Sequence, residues 1–187
     1  LHWSRIRFQF GLCLGIAAVL AWQYLPRPTP PMPPAEAGFV AAVEDARTAW
    51  LTAPNDLARV NMRAARAAAI CAGLPALTAT AWRATVQNVT PNLLPDIAGK
   101  ATAQITLTLN PHITLSTPSS PFNNPAAMVE AGSPLYALAA TLRPGTPVVV
   151  SATFSSSDTD CADEESLTPN GSMTAPVFKI QIIKLEK

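Results

Sequence analysis

The sequence predicts an α+β chain in which helices come first and strands follow. Three observations carry this. Residues 6–25 are almost wholly apolar, residues 36–75 repeat apolar side chains at helical spacing, and from residue 80 the period falls to two. The 187 residues have room for one compact domain plus extras. Charged residues make up only 13% and apolar ones 49%, which excludes a disordered chain. Thirteen basic and twelve acidic side chains nearly cancel, so the basic surplus of a nucleic-acid binder is missing.

The first element is a membrane anchor over residues 1–25. Between Ile6 and Leu25 the strongly polar residues are Arg7, Gln9 and Gln23, all near the ends. As a helix this stretch covers about 30 Å, the thickness of a bilayer's hydrocarbon core. Trp3 on one side and Trp22 with Tyr24 on the other suit the two interfaces. Arg5 and Arg7 precede the run and Arg27 follows it, which places the N-terminus in the cytoplasm and the rest outside. A cleaved signal peptide fits less well, because the small-x-small site Ala35-Glu36-Ala37 lies beyond the prolines. A lipoprotein would need a small residue where Leu12 precedes Cys13. A retained single-pass helix is therefore expected.

Residues 26–35 are a linker, with six prolines between Pro26 and Pro34. Proline fixes φ and favours polyproline II at about 3.1 Å per residue, so this stretch would extend roughly 25–30 Å.

A helical hairpin is expected over residues 36–75. Phe39, Val43, Ala46 and Trp50 share one apolar face, and Phe39 and Trp50 are expected to be buried. "APND" (53–56) breaks the helix, and Asn55 or Asp56 suits the next N-cap. The second helix would carry Leu57, Val60, Ala64, Ala67 and Cys71 on one side, with Arg59, Arg63 and Arg66 on another. Gly73 and Pro75 end it. A pair this small is marginal alone, so it should pack on the strands that follow.

Residues 80–187 form the strand domain. "TAWRATVQNV" (80–89), "ATAQITLTLN" (101–110) and "HITLST" (112–117) alternate, with Pro111 at a turn or bulge. "SPLYALAATL" (133–142) reads as a short helix with Ser133 as N-cap and Pro134 in first position. "PVVVSATF" (147–154) is a buried-looking strand, and a last strand runs from about Ala175 to Leu185. Three strands, a helix and two strands is the order of an OB-like barrel, five strands with a short helix between the third and fourth.

The phrases "FVAAVEDARTAW", "APNDLARVNMRAARAAAIC", "GSPLYALAATLRPGTPVVVSATF" and "TDCADEESLTPNGSMTAPVFKI" resemble an uncharacterised bacterial family of small OB-like domains with a preceding helical segment. The resemblance spans most of residues 39–182. It implies a fold and no activity, and it makes the membrane a bacterial inner membrane with the domain in the periplasm.

Catalytic chemistry finds little material. His112 stands alone beside a proline, and no metal-protease, nucleophile-elbow, Walker or dinucleotide motif occurs. "DTDCADEE" (158–165) lacks the spaced ligands and central glycine of an EF-hand and reads as a solvated acidic loop. Trp82 is the one aromatic that could serve a ligand on the first strands, and cations are nearly absent from them. No enzyme activity, cofactor, metal or nucleic-acid partner is expected. The expectation is an accessory subunit of a larger membrane complex, touching the bilayer and other subunits. The alternative is an independent envelope module binding a glycan or peptide.

Cys13 lies in the expected span. Cys71 and Cys161 are the remaining pair, and in an oxidising compartment an even pair is read first as a disulfide, with two unrelated thiols as the alternative. Such a bridge would tie the hairpin to the acidic loop and bring Asp158, Asp160, Asp163, Glu164 and Glu165 toward the end of the helix that carries Arg59, Arg63 and Arg66, where opposite charges reinforce the docking.

Overall fold

Proline chemistry sets where the first helix begins and ends. In the computed structural model, which describes residues 31–122 and 124–187, α1 (Pro34–Thr52) opens on Pro34, whose fixed φ suits the first turn. It stops where Ala53, held extended ahead of Pro54, leaves the helical region. Asn55 then caps α2 (Asp56–Arg59), its side chain accepting the Ala58 N–H at 3.1 Å. After a turn at Val60 and Asn61 the chain resumes as α3 (Met62–Gly73). The expected anchor, with Trp3, Arg5, Arg7, Trp22 and Tyr24, lies outside the described residues. Among those described, no helix is long and apolar enough to cross a membrane.

The break between α2 and α3 corrects the expected apolar face. Leu57 is 83% exposed and Val60 is exposed too, whereas Arg66, Ala67 and Ile70 are buried. Val60 and Asn61 are weak helix formers. Once the helix breaks there, α3 turns a different side inward and that side includes an arginine.

The strands close into a barrel. β1 (Thr78–Pro91), β2 (Thr102–Asn110), β3 (Ile113–Ser116), β5 (Pro147–Phe154) and β8 (Val177–Glu186) are hydrogen-bonded in the order β1-β2-β3-β8-β5 and back to β1. All neighbours are antiparallel except β3 and β8. The result is a closed five-stranded mixed barrel, consistent with an OB-like fold. β1 serves two partners, β5 from Thr78 to Thr85 and β2 from Thr85 to Pro91. It bends between them through irregularities at Ala79/Trp82 and Val86/Asn88. Ala81, at φ 53°, occupies the first, where its N–H donates to Ser151 Oγ at 3.0 Å.

The third-to-fourth connection holds the two-residue β4 (Val129–Glu130) and α4 (Pro134–Ala139), with Ser133 accepting the Tyr136 N–H as its cap. Between β5 and β8 the chain makes a longer excursion. This carries the small hairpin β6 (Ser156–Ser157) and β7 (Cys161–Ala162), then α5 (Pro169–Thr174). These short pieces were not expected.

Phe39 of α1 reaches into the barrel's aromatic core, its ring centroid 5.2 Å from Trp82, 5.1 Å from Phe154 and 5.0 Å from Phe178. Burying a side chain of this size stabilises by about 1.5–3 kcal/mol, which is why the hairpin packs on the barrel. Trp50 departs from expectation. It is half-buried near the end of α1, donates Nε1–H to Asn170 Oδ1 at 3.1 Å, and lies under the Arg59 guanidinium.

Candidate functional site

Two places gather polar side chains, and they differ in kind. The first is the joint between α3 and the excursion. Arg63 donates to both Asp160 oxygens, at 2.5 and 2.7 Å. Beside it the buried Arg66 donates to Glu164 Oε1, and reaches the Ser172 carbonyl at 2.5 Å and its hydroxyl at 3.0 Å. Cys71 and Cys161 are bonded one step away, with Cα atoms 5.7 Å apart.

The acidic run is therefore no solvated loop. Asp160 and Glu164 are buried and ion-paired. Burial pushes the Asp160 carboxyl up, but hydrogen bonds from Arg63 and Thr159 and the two arginine charges outweigh it and hold the group below its ordinary value. For Glu164 burial wins and the carboxyl is raised, with Arg66 opposing. The charged groups here are paired within the same chain, so this joint is a fastening between α3 and the excursion.

The second place is a shallow polar groove of about 480 Å³ across the outer face of β1, β2 and β3. Alternation puts Ile105 and Leu107 in the core and turns Gln104 and Thr106 outward. On β3, Thr114 faces the groove and Ser116 lies at its floor. The irregularity at Val86/Asn88 adds a residue to β1, so both Gln87 and Asn88 face out. Glu165 and Val177 close one end.

The lining is amide and hydroxyl with one carboxylate. Gln104 Nε2 donates to Ser116 Oγ at 2.8 Å. The side chains of Gln87, Thr106 and Thr114 make no hydrogen bond within the described residues. Glu165 is raised by burial, lowered part way by Lys179 and raised again by Asp163. Among the described residues no three of His, Cys, Asp and Glu stand close enough to hold a metal ion. Such a surface can hold a neutral polar chain by hydrogen bonds, and it presents no nucleophile paired with a base.

Trp82, weighed from the sequence as a ligand-facing aromatic, is 0% exposed and packs in the core. His112 meets Glu44 Oε1 at 2.9 Å, and Asn110 donates to the same carboxylate at 2.7 Å, so these residues fasten α1 to the β2–β3 turn. The groove residues were not singled out from the sequence. Their signal was present, since the outward positions of "AQITLTLN" are Gln and Thr where a plain solvent face would carry charge.

Comparison with family models, curated proteins and solved structures finds no match.

Proposed function

We propose that the chain is a non-catalytic binding module, and that its work is done by the polar groove across β1, β2 and β3. The observation that carries this reading is the groove's lining: six amide or hydroxyl side chains and one carboxylate, on rigid strands, with hydrogen-bonding capacity unused. We read the barrel as OB type, a fold whose second and third strands form a binding face, and group the chain with the small bacterial domains it resembles. In this reading residues 6–25 anchor it in the bacterial inner membrane, the proline run is the tether, and the domain works in the periplasm. The ligand is a neutral polar chain, a glycan or an extended peptide. Nucleic acid is disfavoured by Glu165 and by the lack of cations among the lining residues.

Titration of the isotope-labelled full chain in detergent with chitohexaose, and separately with a polar hexapeptide, tests this. Amide shifts at Gln104, Thr106 and Thr114 with either probe are the expected result. Silence at these positions with both overturns the reading.

A second reading, an accessory subunit of a larger membrane complex, is favoured by a separate observation. Leu51, Leu57 and Val60 are all exposed at the tip of the helical hairpin. A partner subunit would cover them. Native electrophoresis after gentle extraction would then show the chain in a large species, lost with Leu57→Ser and Val60→Ser.

A further inference from the structure

The groove's polar groups stand in step with the strands. β1 supplies Gln87 and Asn88, β2 supplies Gln104 and Thr106, and β3 supplies Thr114 and Ser116, two side chains from each strand. The register sets them side by side, because Asn88 pairs with Thr106 and Thr106 with Ser116. On the next row Thr114 pairs with Val177 of β8. Beyond β8 the segment 163–165 runs antiparallel to it through the bridge between Glu164 and Phe178. There the Lys179 N–H donates to the Asp163 carbonyl and the Glu165 N–H to the Val177 carbonyl, both at 2.9 Å. The polar lining therefore crosses the strands, from the amides of β1 to the carboxylate of Glu165. Strands lie about 4.8 Å apart, so the four steps cover roughly 19 Å.

This spacing separates the two kinds of polar chain. An extended peptide repeats its backbone groups about every 3.4 Å and falls out of step with strands it crosses. A sugar ring in a linear glycan is close in length to one strand spacing and carries hydroxyls on both edges, so successive rings meet successive strands. The amides and hydroxyls of the lining both donate and accept, as a hydroxylated ligand requires. No aromatic ring lines the groove, so binding rests on hydrogen bonds and is modest in affinity.

Charge marks one end. Lys179 is paired with Asp163 at 2.9 Å, and the Glu165 side chain has no hydrogen bond or ion pair among the described residues. Burial raises its carboxyl, with Lys179 opposing and Asp163 reinforcing, so a cation set against it would stabilise the ionised form. The other lining residues carry no charge.

Resting on the binding reading above, we infer that the groove takes a linear glycan laid across β1, β2 and β3, otherwise neutral, with a free amino group on the sugar that meets Glu165. An N-acetylated sugar has no charge to offer there, and an acidic sugar would face a like charge. Glu165 sets the specificity, and the amides and hydroxyls hold the rest of the chain.

Titration of the isotope-labelled full chain in detergent, read at the Gln104, Thr106, Thr114 and Glu165 amides, uses four probes. These are chitohexaose, its two forms with one terminal sugar deacetylated at either end, and a hexapeptide of neutral polar side chains. One of the deacetylated forms should bind about tenfold more tightly than chitohexaose at low salt. Glu165→Gln should erase that preference and leave the melting temperature unchanged, since the side chain has no bonded partner to lose. Equal binding of the three glycans, or a preference that survives Glu165→Gln, overturns the inference and leaves the groove reading intact. Peptide binding without glycan binding does the same. Silence from all four probes removes both.

Discussion

Arg66 of α3 and Glu164 of the β5–β8 excursion meet as an ion pair whose side chains are 0% and 1% exposed. Among the described residues Arg66 Nε and Glu164 Oε2 have no hydrogen-bond partner, so the pair is buried but incompletely satisfied. Such a pair adds little net stability yet is costly to break, since removing one partner strands a charge. Arg66→Met should therefore cost about 3–5 kcal/mol in urea unfolding, and Glu164→Leu a similar amount. The double variant, apolar on both sides, should recover most of the loss. A single variant within about 0.5 kcal/mol of the parent would show the pair to be solvated.

The Cys71–Cys161 bridge joins the same two segments across a sequence separation of 90. Its loss should cost roughly 2–5 kcal/mol. Hydrogen exchange on reduction should rise in α3 and in the β6–β7 hairpin ahead of the barrel strands, which keep their own ladder. A digest mapped without reductant should contain the linked peptides. Free alkylation of both thiols in the untreated protein would remove the bridge from the account.

Phe39 and Trp50 sit on the same helix with different fates. Phe39→Ala opens the aromatic core and should cost about 3–5 kcal/mol. For Trp50→Ala about 1 kcal/mol is expected, because the ring is half-buried and its bond to Asn170 is exposed. Equal losses at the two positions would contradict the depth assigned to α1.

Glu36 gives a pH dependence. It is 1% exposed, accepts the Arg83 N–H at 3.1 Å, and burial raises its carboxyl above the ordinary 4.5, with that N–H and the Arg83 charge opposing. A raised folded-state value means the folded chain holds the proton longer than the unfolded one. The group's contribution is fully present below pH 4.5 and is lost as pH rises through the raised value. Glu36→Gln keeps an acceptor for Arg83 and has no charge to bury. Relative to the parent it should gain stability between pH 4 and 7, read as melting temperature. A loss at pH 7 would mean that the ionised carboxylate is what the site favours.

The barrel was legible where one face alternates and the turns carry their own chemistry. Ile105 and Leu107 inward with Gln104 and Thr106 outward, Ser133-Pro134 opening α4, and the run from Pro147 to Phe154 all follow from local rules. What was illegible depends on partners distant in sequence. The expected bridge already brings Glu164 toward Arg66, but the burial of that pair beside Ser172 is visible only in the fold, and Trp82 looks ligand-facing until Phe39 covers it. Leu57 and Val60 fit the helical period, but the turn after them leaves them in solvent. The groove needed the fold as well, because Gln87, Gln104, Thr114 and Glu165 converge only once β3 pairs with β2 and β8.

The most direct measurement fills the groove. Thr106 faces outward at its centre, so Thr106→Trp should abolish probe binding while shifting the melting temperature by no more than a few degrees. Leu57→Ser, on the far hairpin, should leave probe affinity unchanged. Undiminished binding by Thr106→Trp, with amide shifts mapping to another face, would contradict the assignment of function to the β1–β2–β3 surface.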